Sequence, residues 1–168
     1  MTYVYPRPIA ADDDVTGFAC GQPSLDDWLR RRALVGETTG ASRTFVTTPL
    51  GSRTVVGYYA LAAGSVRAES VPGRVRRNMP DPIPVVVLAR LAVSTAHQGA
   101  GLGTSLLQDA VLRSVAAATS VGMRAIVVHA LTEEAGRFYA RLGFVEAPPG
   151  NLLYVATIPD LVRTLGVG

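Results

Sequence analysis

The stretch Gln98-Gly99-Ala100-Gly101-Leu102-Gly103 decides the fold prediction, because it joins an apolar strand to an amphipathic helix. Glycines let the backbone approach a ligand closely, and the N–H groups at a helix start can point at an anion. The loop therefore predicts a pyrophosphate site. It lacks the Gly-Lys-Ser/Thr of a P-loop, and its spacing differs from the dinucleotide fingerprint G-x-G-x-x-G. A tight strand-to-helix turn without a ligand is the alternative interpretation of these glycines taken alone.

The segments on either side of the loop are predicted to form a buried strand and a long helix. Val85–Val93 is a continuous apolar run, which is typical of a strand at the centre of a sheet. Arg90 interrupts that run, and a charged residue in a buried strand needs either a partner or an opening onto a cleft. From Leu102 onward the apolar residues keep one helical stripe, so a helix is predicted to end near Gly122.

The residues before this strand predict one helix and a hairpin. Helical spacing of apolar residues indicates a helix over Pro23–Gly36, in which Arg32 falls inside the apolar stripe and must snorkel to an edge. Arg43–Thr48 and Thr54–Val66 are β-rich runs on either side of a turn. Four prolines in Arg67–Pro84 exclude a regular helix there and indicate a long functional loop.

Three further elements follow the long helix. Ala125–Ala130 reads as a short strand, and Leu152–Ile158 as a final strand. Between them Thr132 is a candidate cap for a helix that runs through Arg141, with Glu133 and Glu134 in its first turn. The pattern as a whole predicts an α/β fold, with strands dominating the first half.

Composition bounds the class of protein. A length of 168 residues suits one domain over residues 1–168, and 48% hydrophobic residues exclude a disordered chain. No window approaches the roughly 20 apolar residues of a membrane span. The N-terminus lacks a secretory signal and Cys20 has no partner cysteine, so we expect a cytoplasmic protein in which Cys20 is a small buried hydrophobe.

Every positive side chain is arginine, and the formal net charge is +3. The arginines cluster at residues 30–32 and again within residues 67–77, which indicates a polyanionic partner if the clusters are not simply solvated faces. His97 and His129 are interpreted as structural. No cluster of His, Cys, Asp or Glu has metal-ligand spacing, so no metal is predicted.

Two motifs in this order resemble those of the GNAT superfamily of acetyltransferases. Gln98-x-x-Gly101-x-Gly103 is similar to its acetyl-CoA motif, and the stretch from Phe138 to Phe144, FYARLGF, is similar to its downstream helix-to-strand motif. The resemblance implies a mixed, mostly antiparallel central sheet with a splayed central strand, flanked by helices. It also implies acetyl-CoA as cofactor, bound by the following residues: Leu91, Ala92, Val93, Gln98, Gly99, Ala100, Gly101, Leu102, Gly103, Thr104, Thr132 and Phe138.

Nearly the whole chain resembles the GNAT toxins of bacterial toxin-antitoxin modules, except for the first twenty residues and the tail after Pro148. The similar stretches are LDDWL at residues 25–29, RRNMPDPIP at 76–84, LARLAV at 88–93 and HALTEEA at 129–135. Those toxins acetylate the free α-amino group of aminoacyl-tRNA, which blocks translation. The resemblance implies a ribbon-helix-helix antitoxin as partner, with which the chain would act as co-repressor on operator DNA, and a homodimer.

The chemistry requires a neutral amine to attack a thioester carbonyl, after which a thiolate departs and is protonated. The resemblance gives the role of general acid to Tyr139, whereas Phe138 and Tyr139 could also be core aromatics at a helix end. Backbone N–H groups near Leu91–Val93 would stabilise the oxyanion. An α-amino group has a pKa near 8, so no strong general base is required.

The expected RNA contacts are Arg30, Arg32, Arg76, Arg77 and Arg90, whose planar forks can bind phosphates of a tRNA acceptor stem. An N-acetyltransferase of a small-molecule amine, built on the same scaffold, is the competing hypothesis. Small amine substrates are cationic and favour acidic sites, so the arginines at residues 76 and 77 argue against it.

Overall fold

The structure, a computed structural model, describes residues Thr2–Gly168 as an alternation of strands and helices. The elements of this described part are, in chain order, β1 (Arg7–Pro8), α1 (Pro23–Arg31), α2 (Ala33–Thr39), β2 (Arg43–Thr47), β3 (Gly57–Val66), α3 (Gly73–Arg76), β4 (Ile83–Val93), α4 (Leu102–Ala118), β5 (Ala125–His129), α5 (Glu133–Arg141), β6 (Val145–Glu146), β7 (Leu153–Thr157) and α6 (Ile158–Leu165). Single 3₁₀ turns lie at Ala68–Ser70 and Thr95–His97.

The strands form a seven-stranded mixed sheet in the order β1-β2-β3-β4-β5-β7-β6. Strand β4 pairs parallel with β5, whereas β1–β2, β2–β3, β5–β7 and β6–β7 are antiparallel. The predicted α/β class and the mostly antiparallel sheet are therefore confirmed. The apolar run that contains Arg90 lies in the fourth of the seven strands, as its composition predicts.

The described chain forms two compact units. The first comprises residues 2–62 with Ala89–Asp109, and the second comprises Ala63–Leu88 with Ala110–Gly168. That residues 1–168 make one domain stays a prediction, with Met1 outside the described residues. Among the described residues, none of the helices combines the length and the apolar composition that a membrane span needs.

The first unit is organised around the hairpin that the sequence predicts. Strands β2 and β3 pair from Arg43–Leu61 to Thr47–Gly57. Strand β3 begins three residues later than predicted, because Thr54 forms a bridge with Asp14 instead. Under the hairpin lies an apolar cluster made of Ile9, Phe18, Leu29, Ala33, Val46, Val55, Tyr58 and Ala92. Each large side chain buried in this way contributes about 1.5–3 kcal/mol to folding.

The predicted helix over residues 23–36 is two helices, α1 and α2, and the single-helix prediction is wrong. Arg32 has φ −119° and ψ −23°, which is too extended for a regular helix, although its N–H still donates to Trp28 O at 2.8 Å. The break leaves Arg32 exposed at the junction. The prediction that Arg32 snorkels out of an apolar stripe is therefore also wrong.

The second unit contains two helices that were not predicted from the sequence. The proline-rich segment holds the one-turn helix α3 at Gly73–Arg76, because Pro72 precedes that turn at a position where its fixed φ is compatible with a helix start. The exclusion of a regular helix from Arg67–Pro84 is therefore wrong for these four residues. Helix α6 is capped by Thr157, whose hydroxyl accepts the N–H of Asp160 at 3.2 Å.

The remaining predicted elements are found with small changes of boundary. Strand β4 starts two residues early, helix α4 ends at Ala118, and β7 covers most of the predicted final strand. The hydroxyl of Thr132 accepts the N–H of Ala135 at 3.1 Å, which confirms the predicted cap of α5. Strands β1 and β6 have two residues each, too short to produce an alternating pattern.

A buried ion pair fastens the N-terminal segment of the first unit. The Asp13 side chain is 0% exposed, and Arg7 donates to both of its oxygens at 2.9 and 2.6 Å. Asp13 also accepts the N–H of Ala10 at 2.8 Å and lies 3.1 Å from Arg53. Burial opposes its ionisation, but these contacts outweigh that effect and hold the pKa of Asp13 below its ordinary value.

We predict that Asp13→Asn lowers the free energy of unfolding by about 1–3 kcal/mol, because Arg7 then lacks a charged partner. Asp12→Asn is the matched control: Asp12 also binds Arg53, yet its side chain is 73% exposed, and its loss should cost under about 0.5 kcal/mol. Urea denaturation at neutral pH measures both. Because the folded pKa of Asp13 is lowered, the gap to wild type should narrow as the pH falls below about 4. An equal loss of unfolding free energy in the two variants would contradict the stabilising role of the Asp13–Arg7 ion pair.

Candidate functional site

The glycine loop of the first unit has an open backbone. Gly99 and Gly101 have φ of +82° and +83°, which is the left-handed region that favours glycine. A Cβ added at either position would meet no atom within 4 Å. Helix α4 starts immediately afterwards at Leu102, so its first N–H groups have no partner within the helix. The loop thus offers free donors and open space to an anionic group, as the pyrophosphate prediction requires.

The segment that precedes this loop is fastened to the residues before α1. The backbone N–H and the hydroxyl of Thr95 both donate to Ala19 O at 2.8 Å. The side-chain amide of Gln98 donates to Cys20 O at 3.1 Å and to Val93 O at 2.8 Å. The Gln98 side chain therefore fixes the base of the loop, and the predicted contact of Gln98 with the cofactor stays a prediction.

Two tyrosine hydroxyls form hydrogen bonds with residues near this loop, Tyr3 with His97 and Tyr58 with helix α1. The Tyr3 hydroxyl lies 2.8 Å from Nδ1 of His97, and the two rings meet edge to face at 5.6 Å. His97 thus has a structural contact, in line with its interpretation. The Tyr58 hydroxyl donates to Leu25 O at 2.7 Å and holds helix α1 on the hairpin.

Arg90 is stacked on an aromatic ring. Its guanidinium carbon lies 5.2 Å from the centroid of the Trp28 ring, and Trp28 in turn stacks on Tyr58 at 6.0 Å with an interplanar angle of 5°. Arg90 also donates to the carbonyl of its neighbour Ala89 at 2.7 Å. Among the described residues no carboxylate pairs with Arg90. The half-buried cation is therefore held in one orientation while most of its N–H donors stay available.

Two other predicted RNA contacts in the first unit, Arg30 and Arg32, differ in how many of their N–H donors bind groups of the protein itself. Arg30 donates to Phe18 O at 2.8 Å and to Asp27 at 3.3 Å, so much of its fork serves the protein itself. Arg32 is exposed at the α1–α2 junction. Of the predicted cofactor residues here, Ala92 lies in the apolar cluster, while Leu91 and Val93 are half-buried. Their predicted backbone contacts, and those of Ala100, Leu102, Gly103 and Thr104, stay predictions.

The predicted catalytic tyrosine lies in the second unit, on helix α5. Tyr139 is 5% exposed, and its ring packs edge to face against Phe138 at 5.1 Å and Phe144 at 5.5 Å. Tyr154 tilts against it at 6.4 Å. The aromatic FYARLGF motif is thus a packed cluster that fixes the Tyr139 ring. Phe138 and the capping Thr132 are half-buried beside it in the chain, and their cofactor roles stay predictions.

The hydroxyl of Tyr139 has no internal partner. No described residue forms a hydrogen bond with it, and the one enclosed, unpartnered side-chain polar atom of the described residues is Thr44 Oγ1. The Tyr139 oxygen therefore keeps access to a ligand or water. A tyrosine hydroxyl, with an ordinary pKa near 10, is protonated at neutral pH, and burial of the ring raises the pKa of Tyr139 further.

The lone cysteine behaves as the sequence suggests. Cys20 is half-buried and packs against the apolar cluster of the first unit. Burial raises the pKa of its thiol to about 11, and a contact with Asp26 acts in the same direction. A thiol with such a pKa is a poor nucleophile at neutral pH.

The remaining predicted RNA contacts lie in the second unit, at the end of α3. Both Arg76 and Arg77 are exposed. The guanidinium of Arg76 donates to Val71 O, whereas Arg77 pairs with no carboxylate among the described residues. Trp28 was not predicted as a site residue, because in the sequence it is one member of an apolar helical stripe. The carbonyls that accept from Thr95 and Gln98 were not predicted either, because every residue has a backbone carbonyl and no sequence pattern distinguishes these.

The chain matches a known protein family and a characterised relative. The acetyltransferase (GNAT) domain family matches residues 51–146. A tRNA-acetylating toxin of Mycobacterium tuberculosis (strain ATCC 25618 / H37Rv) is 52% identical over 164 residues, and the alignment covers 98% of each chain.

Solved structures of the same fold extend over nearly the whole chain. AtaT complexed with acetyl-methionyl-tRNAfMet has a TM-score of 0.88 at 25% identity, over 96% of this chain and 98% of that one. AtaTR bound with AcCoA has a TM-score of 0.83 at 26% identity, over 96% of both chains. The KacTA-DNA complex has a TM-score of 0.79 at 25% identity, over 98% of this chain and 99% of that one.

These matches confirm the family that the two sequence motifs indicate. The matched segment includes the glycine loop and extends beyond Tyr139 to Glu146. The chain therefore belongs to the GNAT family of acetyltransferases.

Proposed function

We propose that this acetyltransferase transfers the acetyl group of acetyl-CoA to the free α-amino group of aminoacyl-tRNA and thereby acts as a toxin that blocks translation. The observation that carries the proposal is the 52% identity, over 98% of the chain, to a tRNA-acetylating toxin. The structure of a relative bound with AcCoA supports the choice of cofactor, and that of a relative complexed with acetyl-methionyl-tRNAfMet supports the choice of acceptor.

Acetyl-CoA would supply a thioester-activated acetyl group, and the chain would hold it mainly through backbone groups. The open loop with Gly99 and Gly101 and the first turn of α4 suit the pyrophosphate. Backbone donors of Leu91–Val93 would hold the pantetheine arm and the acetyl oxygen. We keep Thr104, Thr132 and Phe138 as further cofactor contacts.

We assign the general acid to Tyr139. Its ring is fixed by Phe138 and Phe144, its hydroxyl has no internal partner, and its raised pKa keeps the proton in place at neutral pH. The same raised pKa weakens the thermodynamic drive for donation, so the proton would move only as negative charge develops on the leaving sulfur. The acceptor α-amino group, with a pKa near 8, is partly neutral without a strong base.

The acceptor RNA would be bound through arginine. We keep Arg30, Arg32, Arg76, Arg77 and Arg90 as phosphate contacts, and the structure ranks them by availability. Arg32 and Arg77 are exposed without a carboxylate partner among the described residues, and Arg90 is held on Trp28. Arg30 and Arg76 also serve backbone carbonyls. Contacts of this kind make binding strongly dependent on salt.

The proposed biological setting is a bacterial toxin-antitoxin module in the cytoplasm, where charged tRNA is found. A ribbon-helix-helix antitoxin would silence the enzyme, and the two proteins together would bind operator DNA. The KacTA-DNA complex supports this arrangement. We further propose that the chain is a homodimer.

We predict that Tyr139→Phe lowers kcat for acetylation of aminoacyl-tRNA about 100-fold or more, because the proton donor for the leaving thiolate is lost. Transfer of labelled acetyl groups from acetyl-CoA to a pool of charged tRNAs measures this. Tyr154→Phe is the matched control, since Tyr154 is also buried and its ring lies against that of Tyr139. Labelling of small amines, with none of any charged tRNA, would contradict the proposed substrate, and equal activity of the two variants would contradict the proposed acid.

We predict that Gly101→Ala raises the Kd of acetyl-CoA about tenfold or more, because its Cβ enters the space offered to the pyrophosphate. Gly40→Ala is the matched control: Gly40 has φ +79° and equally open surroundings, but it caps helix α2 outside the loop. Both variants should lose about 1–2 kcal/mol of stability from the left-handed strain. Isothermal titration calorimetry separates binding from stability, and an unchanged Kd in Gly101→Ala would contradict the loop assignment.

We predict that Arg90→Ala raises KM for aminoacyl-tRNA about tenfold, the effect of one hydrogen bond to a charged group, and leaves the Kd of acetyl-CoA unchanged. Trp28→Leu should give part of this effect, because Arg90 remains but is no longer held flat. Arg31→Ala is the control, since Arg31 is exposed and was not assigned to RNA. If Arg31→Ala raised KM as much as Arg90→Ala, the effect would come from net charge alone, and a specific contact of Arg90 with the RNA would be contradicted.

A further inference from the structure

A basic cleft of about 450 Å³ lies in the second unit, between the end of helix α3 and the start of helix α6. Its lining residues are Arg74, Arg77, Asn78, Met79, Arg124, Thr157, Pro159, Asp160 and Arg163. Only Arg77 of this set belongs to the arginines assigned to RNA above. The other three arginines, Arg74, Arg124 and Arg163, have no role assigned above.

The cleft contains four guanidinium groups and one carboxylate. Arg74 donates to both oxygens of Asp160 at 2.5 and 2.7 Å, and Arg163 donates to the same carboxylate. The hydrogen bond from Arg74 holds the pKa of Asp160 well below its ordinary value, so the carboxylate is charged at neutral pH. Even so, four positive charges face one negative charge, and the lining carries a net charge of +3.

Three of the four arginines, Arg74, Arg124 and Arg163, are held by contacts within the protein, and each keeps N–H donors that these contacts do not use. Nε and Nη2 of Arg124 donate to Val75 O at 3.0 Å and to Arg74 O at 2.8 Å, which ties α3 to the start of β5. The side chains of Arg74 and Arg163 are 69% and 64% exposed despite their shared carboxylate. Arg77 is exposed and pairs with no carboxylate in the described part of the chain.

This chemistry suits a polyanion with separated charges. Planar guanidinium forks bind phosphate oxygens bidentately, and fixed forks lose less side-chain entropy on binding. Met79 and Pro159 are the apolar residues of the lining, too few to anchor a hydrophobic peptide segment. A single small anion would neutralise part of the charge, whereas consecutive phosphates of a nucleic-acid strand match several arginines along one cleft.

We propose that this cleft binds the phosphodiester backbone of the double-helical acceptor arm of the tRNA substrate. The inference rests on the proposed function and adds Arg74, Arg124 and Arg163 to the RNA-binding surface. Asp160 positions Arg74 and Arg163 for this contact. The cleft contributes affinity for the arm of the tRNA, and it takes no part in the chemistry at the aminoacyl end.

The test compares two acceptors that carry the same aminoacyl ester, a full aminoacyl-tRNA and an aminoacylated CCA trinucleotide that lacks the helical arm. The variant is Arg74→Gln with Arg163→Gln, two exposed arginines of the cleft that the proposed function does not assign to RNA, and it leaves the Arg124 contacts intact. The matched control is Arg31→Gln with Arg67→Gln, since both of these arginines are exposed, neither lines the cleft, and the change in net charge is the same. Thermal unfolding of both variants checks that they fold.

We expect the cleft variant to raise KM for aminoacyl-tRNA about tenfold or more, with kcat and the KM for the trinucleotide unchanged. The slope of log affinity for deacylated tRNA against log salt should fall by about two, one for each arginine removed. The control variant should change neither quantity by more than about twofold.

Three results would overturn the inference. These are equal tRNA affinity in the cleft variant and the control, an equal rise of KM for both acceptors, or a changed molecular mass in light scattering with unchanged tRNA affinity, which would assign the cleft to a protein contact. Failure of the wild type to acetylate either acceptor would instead refute the proposed function. Binding of deacylated tRNA tests the cleft in that case, because it requires no catalysis.

Discussion

The glycine loop depends on a short segment before helix α1, residues 18–20, in which each backbone carbonyl accepts a hydrogen bond from a side chain. Phe18 O accepts from Arg30, Ala19 O from Thr95, and Cys20 O from Gln98. An unpaired polar backbone group in a protein costs free energy, so these carbonyls fix both the start of α1 and the end of β4. The glycines of the loop are individually flexible, and this fixed base is what lets their N–H groups present a defined surface.

The absence of lysine gives the arginines two tasks. Arg30, Arg76 and Arg124 donate to backbone carbonyls and thereby hold loops that have little regular structure of their own. A lysine has one nitrogen and no planar fork, so it could not donate to two carbonyls from two nitrogens at fixed positions as Arg124 does. Other arginines, such as Arg77, are exposed and add positive charge beside the occupied ones. Part of the positive charge is therefore held in place by the backbone of the protein itself.

The sequence contained most of the information about local structure, because that information lies in short-range patterns. The hairpin, the central apolar strand, the cap at Thr132 and the long helix α4 all follow from periodicity, capping and turn residues within a few positions. The two motifs also identified the family and named the glycine loop and Tyr139 as site candidates. Some features were not predicted, because each is shorter than one period of the apolar pattern of a helix or strand. These are the two-residue strands, the helix break at Arg32 and the one-turn helix within the proline-rich segment.

Contacts between distant residues were decided by the tertiary structure alone. Arg74 and Asp160 are 86 positions apart, and Gln98 and Cys20 are 78 apart, so no local pattern reveals that either pair meets. The sequence by itself determined most of the longer elements, the family and the residue types available for chemistry. Only the fold decided that the Gln98 side chain supports the loop and that Arg163 shares a cleft with Arg77, because side-chain partners depend on which segments the packed core brings together.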